Sequence, residues 1–142
     1  MRRFLFSLIS LSFAFLHIQG NQKEGERLFS LKILGLLEAK CFACHNSKAG
    51  KVKGALDLTS RESMLFGGET SDRVLIPWDP AKSLLMTAIE WKDAEYEMPP
   101  KENDRLSVQQ IRWVRKWVEL GAPWPDKSTR DRYLKEERAK TV

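Results

Sequence analysis

Histidine and cysteine are scarce in this chain, with two of each in 142 residues. That excludes a disulfide-stapled scaffold, which needs cysteine at much higher density. Eight glycines and six prolines, set at no short period, exclude collagen-like and low-complexity chains. No segment repeats, which excludes solenoids and propellers. Charge of one sign is also lacking: 24 basic and 19 acidic residues are dispersed along the chain, too mild a bias for a nucleic-acid partner. Apolar residues make up 42%, which is enough for a core and excludes a disordered chain.

Long apolar runs are missing too, with one exception at the amino terminus. Phe4 to Ile18 is broken only by Ser7, Ser10, Ser12 and His17. It follows the basic Met1-Arg2-Arg3 and precedes the small Gly20 and the polar Asn21-Gln22-Lys23-Glu24. A basic start, an apolar middle and a small residue at the cut describe a secretory signal peptide. The competing reading is an uncleaved anchor, but the run is shorter than the about 20 residues that span a bilayer. Residues 1–20 are therefore expected to be a signal peptide, 21–125 one domain and 126–142 a charged tail. The product is expected in the periplasm or otherwise exported, with no stable membrane span once the signal is cut. Removing Arg2 and Arg3 leaves 22 basic residues against 19 acidic ones, a balance that could steer an acidic redox partner.

After the signal, both cysteines and the remaining histidine fall in five residues, Cys41-Phe42-Ala43-Cys44-His45. In an exported chain Cys-x-x-Cys-His reads as covalent haem attachment. Two intervening residues let one backbone turn present both sulfurs to one edge of the macrocycle, where each closes a thioether with a vinyl group. The adjacent His45 then reaches the iron from one face. Three other readings compete. A lone Cys41–Cys44 disulfide would leave His45 without a role. Thiol–disulfide exchange usually follows a strand in a βαβ unit, and no strand pattern leads in. Structural zinc wants four ligands and finds three.

A second axial ligand has few candidates. Histidine is excluded once His17 is removed, leaving Met64, Met86 and Met98 or an open site. Met64 and Met86 fall in expected amphipathic helices, where methionine is packing. Met98 lies in a loop and precedes Pro99-Pro100, which stiffen the backbone after it. The expectation is one covalent haem c bound by Cys41 and Cys44, with His45 and Met98 on the iron. The alternative for Met98 is a gap-filler in the core.

The remaining pattern is helical with long loops. Helices are expected over Glu24 to Ala39 with Leu28, Leu31, Leu34 or Gly35 and one of Leu36-Leu37 inward, and over Arg61 to Phe66 with a Thr59–Glu62 capping box. Another is expected from Asp79-Pro80 to about Trp91. The clearest starts at the Ser107–Gln110 capping box, carries Val108, Ile111, Val114 and Val118 on one face, and stops at Gly121. The segment from Asp126 to Val142 reads as a mobile tail or a loose exposed helix anchored by Tyr133 and Leu134.

An ordered set of motifs adds to this reading: Leu37-Glu38-Ala39-Lys40 before the Cys41–His45 run, Lys53-Gly54-Ala55-Leu56-Asp57-Leu58, Gly67-Gly68, Ile76-Pro77-Trp78-Asp79-Pro80-Ala81-Lys82-Ser83-Leu84-Leu85, Glu97-Met98-Pro99-Pro100-Lys101, Leu106-Ser107 and Trp117-Val118-Glu119-Leu120-Gly121-Ala122-Pro123-Trp124-Pro125. From about Leu28 to Pro125 the chain resembles the planctomycete-type cytochrome c domain, a relative of the class I cytochromes. The resemblance implies an all-α, class I cytochrome c-like fold wrapped around one haem, with Cys41, Cys44 and His45 holding it and Met98 as distal ligand. Trp78 departs from the pattern, since glycine usually follows that proline. Such domains often precede larger ones whose activities do not carry over here. With both axial positions filled, a non-enzymatic electron carrier is expected. The rivals are a haem sensor or peroxidase with a displaceable Met98, and a docking module that brings haem to a larger partner enzyme.

Overall fold

A computed structural model describes residues 20–70 and 73–141. All but the last residue of the expected signal segment lies outside the described residues. The first helix, α1, runs without a break through residues 20–40: α-helical over 20–28, π-helical at Phe29–Ile33 and α-helical again at Leu34–Lys40. Its buried stripe is Phe29, Ile33, Leu36 and Leu37, an i, i+4, i+7, i+8 row. The stripe expected through Leu28, Leu31 and Leu34 is its half-buried flank, and Gly35 is exposed. Aromatic packing selects the face, because the Phe29 ring sits 5.7 Å from Trp117 and 4.4 Å from Trp124 between centroids. Ser30 Oγ donates to the Glu26 carbonyl (2.7 Å) just where the π turn begins, a bond that competes with the helical ladder. Gly25 allows the close approach of the last loop: a Cβ there would lie 2.6 Å from the Pro123 ring.

After α1 the chain makes a small antiparallel hairpin, β1 (His45–Asn46) with β2 (Lys51–Val52), His45 opposite Val52. Strands of two residues leave no alternation in the sequence to detect. Helix α2 covers Arg61–Phe66 as expected, but its cap is Ser60, whose Oγ accepts from Ser63 N (3.1 Å), in place of the Thr59–Glu62 box. Helix α3 covers Leu84–Ile89 and starts at Ser83, four residues later than expected. Asp79 Oδ1 instead accepts from Lys82 N (3.2 Å) in a preceding turn. Buried Ser83 Oγ receives Ile76 N–H (2.9 Å) and lies 2.9 Å from the Asp79 carbonyl, so that turn is complete before the helix begins. Trp78, in the place usual for glycine, keeps the left-handed backbone (φ +66°). The Val118 carbonyl accepts its N–H (2.8 Å) and its ring lies against Gly121.

Helix α4 (Val108–Glu119) has the expected Ser107–Gln110 capping box and stops before Gly121 (φ +90°). It buries Val114, Trp117 and Val118, whereas Val108 is exposed at the first turn. Arg61 reaches back from α2 to the Ala122 carbonyl (2.9 Å) and the Gly121 carbonyl (3.2 Å), holding this end of the chain. The charged segment forms helix α5 (Lys127–Ala139), capped by Asp126. It is docked on α1 through buried Tyr133 and through Arg27, which pairs with Glu136 and Glu137. Of the two sequence expectations, the exposed helix anchored by Tyr133 is the one found, and its docking through Arg27 left little periodic signal to read.

Glu90, at the end of α3, links that helix to α4 by pairing with Arg115 and with Lys92 Nζ (2.6 Å). Burial pushes the carboxyl upward, but the hydrogen bonds and charge of Lys92 and Arg115 outweigh it and hold Glu90 below the usual carboxylate range. A depressed value in the folded state means the stabilisation is full above the unfolded value and is lost as pH falls through the folded one. Glu90→Gln is expected to cost about 1 kcal/mol at neutral pH. The gap from wild type should close only as pH falls below the usual carboxylate range. Urea midpoints of both proteins across that range check this, and a gap that does not change with pH contradicts it.

Candidate functional site

The Cys41–His45 turn is set by the end of α1. Cys41 N–H and Phe42 N–H both donate to the Leu37 carbonyl (2.8 and 3.0 Å), and Cys44 N–H and His45 N–H both donate to the Cys41 carbonyl (3.1 and 3.0 Å). This tight wrap gathers Cys41, Cys44 and His45 on the wall of one cleft. Lys53 N–H bonds back to the Cys44 carbonyl and Leu58 N–H to the His45 carbonyl (both 3.0 Å), so the following loop is laced to the turn. Gly54 (φ +64°) and Gly68 make that loop tight: a Cβ on Gly68 would lie 2.5 Å from the Gly54 carbonyl oxygen.

The cleft has a volume of about 170 Å³ and is partly open to solvent. Its walls are apolar. Leu56, Leu58 and Val74 lie on the loop side, Leu84, Leu85, Ala88 and Ile89 on α3, and Tyr96, Met98, Pro99, Pro100 and Leu106 complete the lining. Met98, singled out from the sequence, thus lines the same cleft as Cys41, Cys44 and His45, with a 38% exposed side chain. Met64 and Met86 are buried in the core, as their helical positions implied.

His45 Nδ1 lies 3.2 Å from the Leu56 carbonyl. With the proton on Nδ1 the imidazole donates that bond and keeps Nε2 as its basic nitrogen, the arrangement a metal-bound histidine normally has. The sequence held no sign of this acceptor, because a backbone carbonyl can belong to any residue type. Burial pushes the Cys41 thiol up to about 11. A thiol so protonated is a poor nucleophile for disulfide exchange. Among the described residues no group of three or more Cys, His, Asp and Glu side chains is placed to hold a metal ion, so the zinc alternative gains no fourth ligand.

The donor set and its surroundings fit a haem: two thiols and an imidazole on one wall, a thioether elsewhere in the lining, and hydrocarbon between. Residues 41–102 match the model of the family Planctomycete cytochrome C. That stretch is similar to the planctomycete-type cytochrome c domain that the ordered motifs resemble. The match supports a haem-binding c-type cytochrome. The match begins at the first cysteine and takes in the hairpin, α2, α3 and the Met98 loop. The described parts of α1, α4 and α5 lie outside it. No curated protein and no solved structure matches this chain. The chain is mainly helical, with the β1–β2 hairpin its one sheet among the described residues. No described helix is long and apolar enough to cross a membrane.

Two features of the cleft escaped sequence reasoning. Trp91 packs beside the Met98 loop and donates to the Met98 carbonyl (3.3 Å), although no motif marks it. Lys40 and Lys53 border the cleft, and Lys48 and Lys51 are exposed on the neighbouring hairpin. The spacing of these lysines was visible in the sequence, but their position at a cleft was not.

Proposed function

We propose that this protein carries single electrons through one haem c attached covalently to Cys41 and Cys44, with His45 and Met98 as axial ligands. The observation that carries the reading is the shared cleft. Both cysteines, an imidazole oriented by the Leu56 carbonyl and the Met98 side chain line one apolar cavity. A haem supplies reversible one-electron exchange at its iron. The residues of the chain do the rest. Cys41 and Cys44 fix the macrocycle edge, and His45 gives a nitrogen ligand. Met98 gives a soft neutral sulfur that favours the reduced iron. The leucines and Ile89 keep water from the iron faces. Lysines at the mouth attract an acidic redox partner. Export to the periplasm, where haem attachment is at home, accompanies this reading.

Expression with haem-maturation machinery and a pyridine haemochrome spectrum test it. The expected result is one covalent haem per chain. Cys41→Ser and Cys44→Ser should each keep a single thioether, and the double variant should release its haem to acid–acetone extraction. Haem that extracts freely from the wild-type protein contradicts the proposal. The 38% exposure of Met98 supports one second reading, a sensor or peroxidase in which this ligand is displaced. Fast carbon monoxide binding to the reduced protein would favour that reading, and slow binding the carrier.

A further inference from the structure

Trp91 stands two residues beyond Ile89, the last residue of α3, with its backbone in the left-handed region (φ +55°). That conformation is rare and strained for a bulky residue, and glycine or asparagine usually takes it after a helix. The indole makes contacts here that a glycine or asparagine could not. Its Nε1–H donates to the Met98 carbonyl (3.3 Å), and the Arg105 guanidinium lies 4.3 Å from its ring centroid, a cation–π contact. From the other side, Met98 N–H donates to the Ala88 carbonyl on α3 (3.1 Å). Met98 is therefore gripped at both of its backbone groups, and Pro99 and Pro100 restrict the chain that follows. Neither grip uses the thioether, so the sulfur stays available.

Resting on the reading of Met98 as an axial ligand, we propose that Trp91 is a positioning residue that holds the Met98 sulfur at the iron, with Arg105 steadying the indole. A thioether is a weak ligand, and its occupancy depends on how often its loop swings away. Two backbone anchors on α3 and its end make that swing rarer than the side chain's exposure alone suggests.

The test uses the oxidised holoprotein and imidazole, which competes with a thioether for ferric iron. Trp91→Phe keeps an aromatic ring and removes the N–H. It is expected to bind imidazole roughly two- to tenfold more tightly than wild type, the factor that one lost hydrogen bond represents. Hydrogen exchange at the Met98 amide should rise by a similar factor while amides inside α4 keep their rates. Arg105→Gln should give a smaller change of the same kind. Unchanged imidazole affinity and unchanged Met98 exchange in both variants overturn the proposal. A rise in exchange spread evenly through α4 also overturns it, since that is the mark of general loosening. Met98→Ala checks the ligand reading separately. It should bind imidazole without competition, and an affinity equal to wild type sinks the axial assignment whatever Trp91 does.

Discussion

Met98→Ala is expected to abolish the weak sulfur-to-iron absorption band of the oxidised protein near the red end of the spectrum and to lower its reduction potential. The direction follows from the ligand. A neutral thioether stabilises ferrous over ferric iron, and water or hydroxide in its place does the reverse. Axial ligands tune haem potentials over roughly 0.8 V, so a fall on the order of 100 mV is expected. Redox titration and the visible spectrum of wild type and variant measure both quantities. The reduced variant should also take up carbon monoxide without first displacing a ligand. Retention of the band, or a potential that does not move, refutes the assignment. Met64→Leu is the natural control, because Met64 is fully buried among α2 and its neighbours and should leave both readouts in place.

Trp117→Ala is expected to be the most destabilising single substitution in α4, by about 3–5 kcal/mol. Trp117 has no exposed surface. It meets Phe29 of α1 and, at 6.4 Å between centroids, Trp124 of the last loop. Its indole N–H donates to the Pro123 carbonyl (2.9 Å) in a buried bond. Truncation therefore opens a cavity where three parts of the chain meet and leaves a buried carbonyl without its donor. In a domain of this size the melting temperature should fall by roughly 10–20 °C. Thermal unfolding followed by circular dichroism reads this directly, with Phe66→Ala as contrast. Phe66 is 92% exposed, and its loss should stay within about 0.5 kcal/mol. A drop at Trp117 no larger than that at Phe66 would show that the aromatic cluster contributes little.

The features legible in the sequence were those whose physics is local. The Ser107–Gln110 box and Gly121 bounded α4 because caps and glycine stops act on adjacent residues. The Cys41–His45 run pointed to haem through its spacing alone, and the family match over residues 41–102 supports haem binding. Met98 was separated from Met64 and Met86 by the contrast between loop and amphipathic helix, and all three stand where that contrast put them. Features that depend on long-range contact were not legible. The stripe of α1 shifted to Phe29 and Ile33 because Trp117 and Trp124, about ninety residues later, supply the packing. The start of α3 moved to Ser83 because its hydroxyl completes a turn with Ile76 and Asp79. The orienting carbonyl of Leu56 and the indole of Trp91 act through backbone groups, and no residue identity announces a backbone acceptor. Helix α5 was undervalued because Tyr133 is its single buried residue.

Helix α1 also sets a length scale for the molecule. From residue 20 to Cys41 it spans about 30 Å at 1.5 Å per residue. Helix α5 is held near the far end by Arg27 and by Tyr133, whose hydroxyl lies 3.4 Å from the Lys23 carbonyl. Arg27 itself is still roughly 20 Å along the axis from Cys41. Tyr133, Glu136 and Glu137 of α5 thus meet the first half of α1, and Cys41 closes its other end. A label at Glu137, the partner of Arg27, would therefore stand well along α1 from Cys41.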